Sequence, residues 1–131
     1  MSASNRLLLR RVLLADAIAS AGAGLALALL SGVLADMLML PAALLFWAGL
    51  SLIPFAALVL HVSRRDPLPR GAVLAIVAYN LLWTLDSVLI LALGWVEPNA
   101  IGAAFLLAQA AGVAAIAGLQ YLGLQRAPVP A

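Results

Sequence analysis

Four apolar stretches, each long enough to cross a lipid bilayer, constrain this chain more than any other feature. They run over residues 12–34, 41–62, 72–93 and 101–124. A helix rises 1.5 Å per residue, so about 20 residues cross a hydrocarbon core of about 30 Å. Turn and breaker residues separate the stretches, among them Pro41, Pro67 and Pro98. The sequence therefore predicts an all-α protein: an integral membrane four-helix bundle, made of two helical hairpins that form one transmembrane domain over residues 1–131.

The composition favours lipid over water as the solvent of this chain. Hydrophobic residues make up 66% and charged residues 9% of its 131 residues, against about a quarter charged in a soluble domain. A soluble fold of this length buries only about two-thirds of its unfolded surface, so much of the apolar remainder would face water. The lipid bilayer is the expected partner. The absence of cysteine from the sequence excludes disulfides, thiolate metal sites and cysteine nucleophiles.

The arginines predict the direction of the spans. Three precede the first span, three lie between the second and third, and one follows the fourth: Arg6, Arg10, Arg11, Arg64, Arg65, Arg70 and Arg126. The connections at the other end carry Asp36 and Glu97. By the positive-inside rule both termini are cytoplasmic, and arginines at helix ends are not the footprint of a nucleic-acid-binding protein. A signal peptide ending near Ala21 is the competing interpretation, although the apolar run continues to Leu34.

A first group of polar residues is predicted in the outer half of the membrane. Asp86 and Gln109 each lie about 12 Å from the outer end of their helix by residue count, so we expect them to meet, with Asn80 and Trp83 beside them. The amide of Gln109 would satisfy an acid that has no basic residue at its depth. A structural clamp between helices, a proton- or cation-coupled site, and a small polar cavity for a ligand or lipid are the open alternatives.

A second group is predicted near the cytoplasmic boundary. Asp16, His61, Tyr79 and Gln120 come from all four helices and lie about 6 to 10 Å from their inner ends. We expect Asp16 to pair with Arg11 or Arg64 by snorkelling. A metal at His61 with help from Asp16 is the alternative, and a single histidine excludes bis-histidine haem ligation within one chain. No catalytic, cofactor or metal site is predicted.

Small residues are concentrated in the first and fourth spans, as in the pairs Ser20/Gly24 and Ala108/Gly112. Association in lipid depends on close van der Waals contact, which such spacing allows. We expect helices one and four to pack face to face; the alternative is that one of these faces forms a homodimer.

Four segments carry a resemblance to known proteins: LRRVLLADAIASAGAG, LPAALLFWAGLSLIPFAALV, AYNLLW and AGLQYLGLQR. In this order they resemble a set of small four-helix integral membrane proteins of proteobacteria without an assigned activity. The resemblance implies a bacterial inner membrane location and no reaction. The small multidrug transporters share the size and helix count, but they use a membrane-embedded glutamate in the first helix, and every span here lacks Glu.

The leading functional hypothesis from sequence is a non-enzymatic accessory, assembly or interaction subunit of a larger membrane complex. Its motivation is that loops this short cannot build an active site outside the membrane. The first alternative is a small dimeric proton- or ion-coupled transporter or channel that uses Asp86. The second is a membrane protein that binds a ligand or a lipid.

Overall fold

The computed structural model describes residues 3–126, with side chains described from residue 5. Within that range the chain is all-helical, without strands. The helices are α1 (Ala3–Leu29), α2 (Ser31–Leu38), α3 (Ala42–Ser63), α4 (Arg70–Ala92) and α5 (Ala100–Arg126). Four of them, α1, α3, α4 and α5, are long and apolar enough to cross a membrane. This confirms the all-helical prediction and gives the architecture of a multi-pass membrane protein.

The first span differs from its predicted bounds of 12–34. Helix α1 starts at Ala3, nine residues earlier, and ends at Leu29, five residues before the predicted end. The chain leaves the helix at Leu30 (φ −110°, ψ 19°) and forms α2 across most of the predicted turn. It then reverses at Met39, which has a left-handed φ of 54°.

Helix α1 packs most extensively against α3, in an antiparallel pair held at very short range by two glycines. A Cβ at Gly24 would lie 2.8 Å from the carbonyl oxygen of Gly49, and a Cβ at Gly49 would lie 2.7 Å from the nitrogen of Ala28. Gly24 of the first span therefore meets α3 and not the fourth span as expected, although α1 and α5 do contact each other nearer the arginine end. In α5, Gly112 and Gly118 would have no neighbour within 4 Å of an added Cβ, so their faces are open. Gly24 of α1 lies directly opposite Gly49 of α3. Because neither residue has a side chain, the two backbones can touch there.

Helices α4 and α5 form the second antiparallel pair. Hydrogen bonds join the α4/α5 pair to α2, and through α2 to the α1/α3 pair, at the end of the bundle that carries Asp36 and Glu97. We call this end the acidic end. There the Asn99 side chain donates to the carbonyl of Met37 at 2.8 Å, and the Asn99 backbone N–H donates to Leu38 at 3.2 Å. Near the other end, which we call the arginine end, Leu9 of α1 packs against Gly123 of α5. The two pairs are thus joined at both ends of the bundle.

Candidate functional site

A buried hydrogen-bond network lies between α1, α4 and α5. The Oδ2 atom of Asp16 accepts bonds from Nδ2 of Asn80 at 2.9 Å and from Nε2 of Gln120 at 2.8 Å. Its Oδ1 atom accepts from the hydroxyl of Ser20 at 3.1 Å, and Asn80 also donates to Oε1 of Gln120 at 3.1 Å. All four side chains are buried, with Gln120 0% exposed. We call these four residues the Asp16 network.

The network satisfies an acid without a basic partner. Asp16 receives three donors, all of them neutral amide or hydroxyl groups, which is how a buried carboxyl group avoids the cost of an unpaired polar atom. Every described buried side-chain nitrogen or oxygen has a hydrogen-bond partner. Because Asp16 and Ser20 come from α1 and the amides come from α4 and α5, the network also links the two helix pairs.

The predicted inner group is only partly brought together. Asp16 and Gln120 meet, as their depths predicted, but His61 is exposed on the outside of α3. Tyr79 is half-buried and stacks on Phe55, with ring centroids 4.1 Å apart. The expected pairing of Asp16 with Arg11 or Arg64 is wrong among the described residues. Both arginines are exposed, while Asp16 points into the bundle and finds its donors there.

The predicted outer group also forms differently. The indole N–H of Trp83 donates to Oε1 of Gln109 at 2.8 Å, and the Gln109 amide donates to the carbonyl of Leu106 at 2.9 Å. Asp86 has no hydrogen bond or ion pair with any described residue. The expected contact between Asp86 and Gln109 is absent, because α4 and α5 are aligned so that Trp83 lies opposite Gln109. In an antiparallel pair with Trp83 level with Gln109, a residue three positions further along α4, about 4.5 Å, lies level with Leu106. Asn80 is correspondingly closer to the arginine end and joins Asp16 instead.

Between the helix pairs lies a cavity of about 800 Å³. It exists because α1 and α4 stay apart: no Cα atoms of the two helices lie within 8 Å of each other. Its wall is mostly apolar, with side chains from α1, α3, α4 and α5. Ligand cavities in proteins usually measure about 300 to 1,000 Å³, so this one has the size of a binding site for a small molecule.

Two polar patches interrupt the apolar wall. One is the Asp16 network, of which Asp16, Ser20 and Asn80 reach the cavity; the other is formed by Trp83, Asp86 and Gln109. The wall contains the two acids Asp16 and Asp86 and no basic residue. Asp16 already accepts three hydrogen bonds, whereas Asp86 makes none with any described residue. No group of three or more His, Asp or Glu side chains within residues 3–126 could hold a metal ion.

Sequence reasoning missed Ser20 as a polar partner and missed the cavity. Ser20 follows Asp16 by four residues, one helical turn, which places the two side chains on the same face; that spacing was a usable signal. The cavity had no such signal, because it depends on the distance between two helices. The resemblance to small proteobacterial membrane proteins stays a prediction. No family model, curated protein or solved structure matches this chain.

Proposed function

We propose that this protein binds a small amphiphilic molecule within the membrane, in the cavity between its two helix pairs. The observation that carries the proposal is the cavity of about 800 Å³ with its apolar wall and two separate polar patches. Apolar walls with a few fixed polar groups are typical of sites that bind small molecules. Of the functions considered from sequence, ligand or lipid binding is the one this geometry favours.

The position of the cavity favours an occupant that comes from the bilayer. Helix α1 stays away from α4, and α3 approaches α4 at few points. Few side chains therefore separate the cavity from the bilayer along the gap between the two helix pairs. Four of the surrounding helices have the length and composition of membrane spans. An alkyl chain can contact the apolar wall, and a polar head can bind one of the two polar patches.

The hydrogen bonds of Trp83 and the Asp16 network support a preformed site. The indole of Trp83 is held by Gln109 at 2.8 Å, and Asp16, Asn80 and Gln120 hold one another. Side chains fixed by each other lose little rotamer freedom when a ligand binds, which favours affinity. The polar groups would therefore orient an occupant without rearrangement.

We propose further that the arginine end faces the cytoplasm of a bacterial inner membrane, with both termini on that side. The support is the placement of all seven arginines at this end and of Asp36 and Glu97 at the other. The accessory or assembly role, a homodimer or larger membrane complex, coupled transport through Asp86 and the absence of enzymatic activity stay predictions.

Tryptophan fluorescence tests the proposed cavity directly. The chain has three tryptophans; Trp83 lines the cavity, while Trp47 is 64% exposed and lies outside it. The double variant Trp47→Phe/Trp95→Phe leaves Trp83 as the only reporter. In lipid nanodiscs, a neutral alkyl alcohol brominated on its chain is expected to quench Trp83 saturably, because bromine quenches indole on contact.

Two alanines of α3 provide the matched variants. Ala48 lines the cavity, whereas Ala57 is exposed elsewhere on the same helix. A phenyl ring at position 48 would fill part of the space that the alkyl chain occupies, so Ala48→Phe should weaken the saturable quenching of Trp83. Ala57→Phe should leave it unchanged. Quenching that does not saturate, or that both variants leave equal to the parent, would refute the proposed function.

A further inference from the structure

We infer that the amphiphile bound in this cavity carries a positive charge, and that the carboxylate of Asp86 binds it. The ligand class is an alkyl amine or quaternary ammonium ion. This inference rests on the proposed function, since it assigns the head group of the same occupant.

Asp86 is an exposed acid at the cavity wall, and it makes no hydrogen bond or ion pair with any described residue. The other acid, Asp16, already accepts bonds from Ser20, Asn80 and Gln120. Asp86 lies six residues before the end of α4, about 9 Å inside it. Carboxylates within membrane spans pair with another group or line a polar pathway. A cation held in the cavity supplies the partner that the described residues do not.

The charge of the wall selects the sign of the ligand. With Asp16 and Asp86 and no basic residue among the cavity residues, a carboxylate or phosphate head would meet acids without a counter-charge. Like charges in a site of low polarity repel each other strongly. Among the arginines, Arg10 donates to the carbonyls of Ser63 and Arg65 at the end of α3 and does not line the cavity. The wall therefore favours a cation over an anion.

Aromatic rings next to Asp86 fit an organic cation better than a metal ion. Trp83 lies three residues before Asp86, one turn away along the same face of α4. Tyr79 stacks near Trp83, with ring centroids 6.4 Å apart and planes 30° apart, and both line the cavity. Ammonium groups bind over the faces of such rings. Because Gln109 fixes the indole edge, the ring is already oriented when the cation arrives.

The test compares three brominated probes with the same alkyl chain and different heads: a trimethylammonium ion, an alcohol and a carboxylate. Each is titrated into the Trp83-only protein in nanodiscs of zwitterionic lipid, and quenching of Trp83 is measured. We expect the ammonium probe to bind about tenfold more tightly than the alcohol and the carboxylate to bind least, because the cationic head is attracted by the Asp86 carboxylate and by the ring of Trp83.

Variants at Asp86 separate this inference from the proposed function. Asp86→Asn should lower the affinity for the ammonium probe about tenfold by removing the charge attraction and leave the alcohol unchanged, and Asp86→Glu should keep the preference for the cation. Asp36→Asn, which removes an acid at the same end of the bundle but outside the cavity, is the control for general attraction of cations and should have no effect.

Each outcome has a defined meaning. Equal binding of the ammonium probe and the alcohol by the parent protein, or an unchanged ammonium affinity in Asp86→Asn, would overturn the inference about charge while the alcohol titration still supports the cavity. Loss of saturable quenching for every probe would overturn the proposed function itself. The comparison of probes on the parent protein needs no variant, so it decides the question even if Asp86→Asn fails to fold.

Discussion

Replacing Gln120 by methionine tests how much the Asp16 network stabilises the bundle. Methionine has a similar length and flexibility, so the shape of this fully buried side chain (0% exposed) is largely kept. The change removes the donor that lies 2.8 Å from Oδ2 of Asp16 and the acceptor that lies 3.1 Å from Nδ2 of Asn80. Asp16 keeps its bonds from Asn80 and Ser20.

The expected cost lies between two known ranges. A hydrogen bond to a charged group contributes about 1.5 to 3 kcal/mol in soluble proteins, whereas interhelical bonds in a membrane protein average about 0.6 kcal/mol, with a maximum of about 1.7. Two bonds are lost together, and the remaining donors keep Asp16 partly satisfied. We therefore expect Gln120→Met to lower the free energy of unfolding by about 1 to 2 kcal/mol.

Helix α5 offers two matched controls for this measurement. Gln109 is half-buried and makes one interhelical bond, from Trp83, besides its bond to the carbonyl of Leu106 in its own helix. Because one interhelical bond is lost, Gln109→Met should cost about 0.6 kcal/mol. Gln125 is exposed, and Gln125→Met should change stability by less than about 0.5 kcal/mol. Reversible unfolding in mixed micelles with increasing SDS, followed by tryptophan fluorescence, gives all three values. If Gln120→Met unfolds at the same SDS fraction as Gln125→Met, the network does not stabilise the bundle.

Two further changes test packing and topology. Gly49→Ala would place a Cβ 2.7 Å from the backbone nitrogen of Ala28, so α1 must move away by about 0.7 Å to reach ordinary contact, and the bundle should lose about 1 to 3 kcal/mol of stability. Gly112→Ala, with nothing within 4 Å of the added Cβ, should be neutral or stabilising in the same assay. Equal effects of the two substitutions would refute the close α1/α3 contact. Because the sequence has no cysteine, Glu97→Cys and Asp66→Cys give unique labelling sites. A membrane-impermeant maleimide should label Glu97→Cys in intact spheroplasts and Asp66→Cys only after lysis, and the reverse pattern would refute the cytoplasmic placement of the arginine end.

The helices could be predicted because their signal is local. Four long apolar runs separated by proline-containing turns leave few alternatives to membrane-spanning helices, and the structure has four helices of that kind. The break at Leu30 had no comparable signal. The apolar run continues past Leu30 to Leu34, so nothing in the hydropathy pattern marks the end of α1 at Leu29.

The contacts of the candidate site could be predicted only where the depth of two residues in the membrane was enough to identify which side chains meet. Counting residues from the helix ends placed Asp16 and Gln120 in one layer near the arginine end, where the structure brings them together. It did not identify them as partners, because the expected partner of Asp16 was Arg11 or Arg64. The same counting failed for Asp86 and Gln109. An offset of three residues between two antiparallel helices is enough to bring Trp83, and not Asp86, opposite Gln109. His61 shows the other limit: its depth was right for the inner group, but its direction around the helix is outward.

The order in which the partners of Asp16 appear has a consequence for how this chain is made. Ser20 leaves the ribosome just after Asp16, but Asn80 follows 64 residues later and Gln120 104 residues later. At a synthesis rate of about 5 to 20 residues per second, Asp16 waits about 5 to 20 s for its last donor. During that interval a newly inserted α1/α3 pair holds an acid with one of its three eventual donor residues. The Asp16 network is therefore completed only when α5 has been made and has joined the bundle.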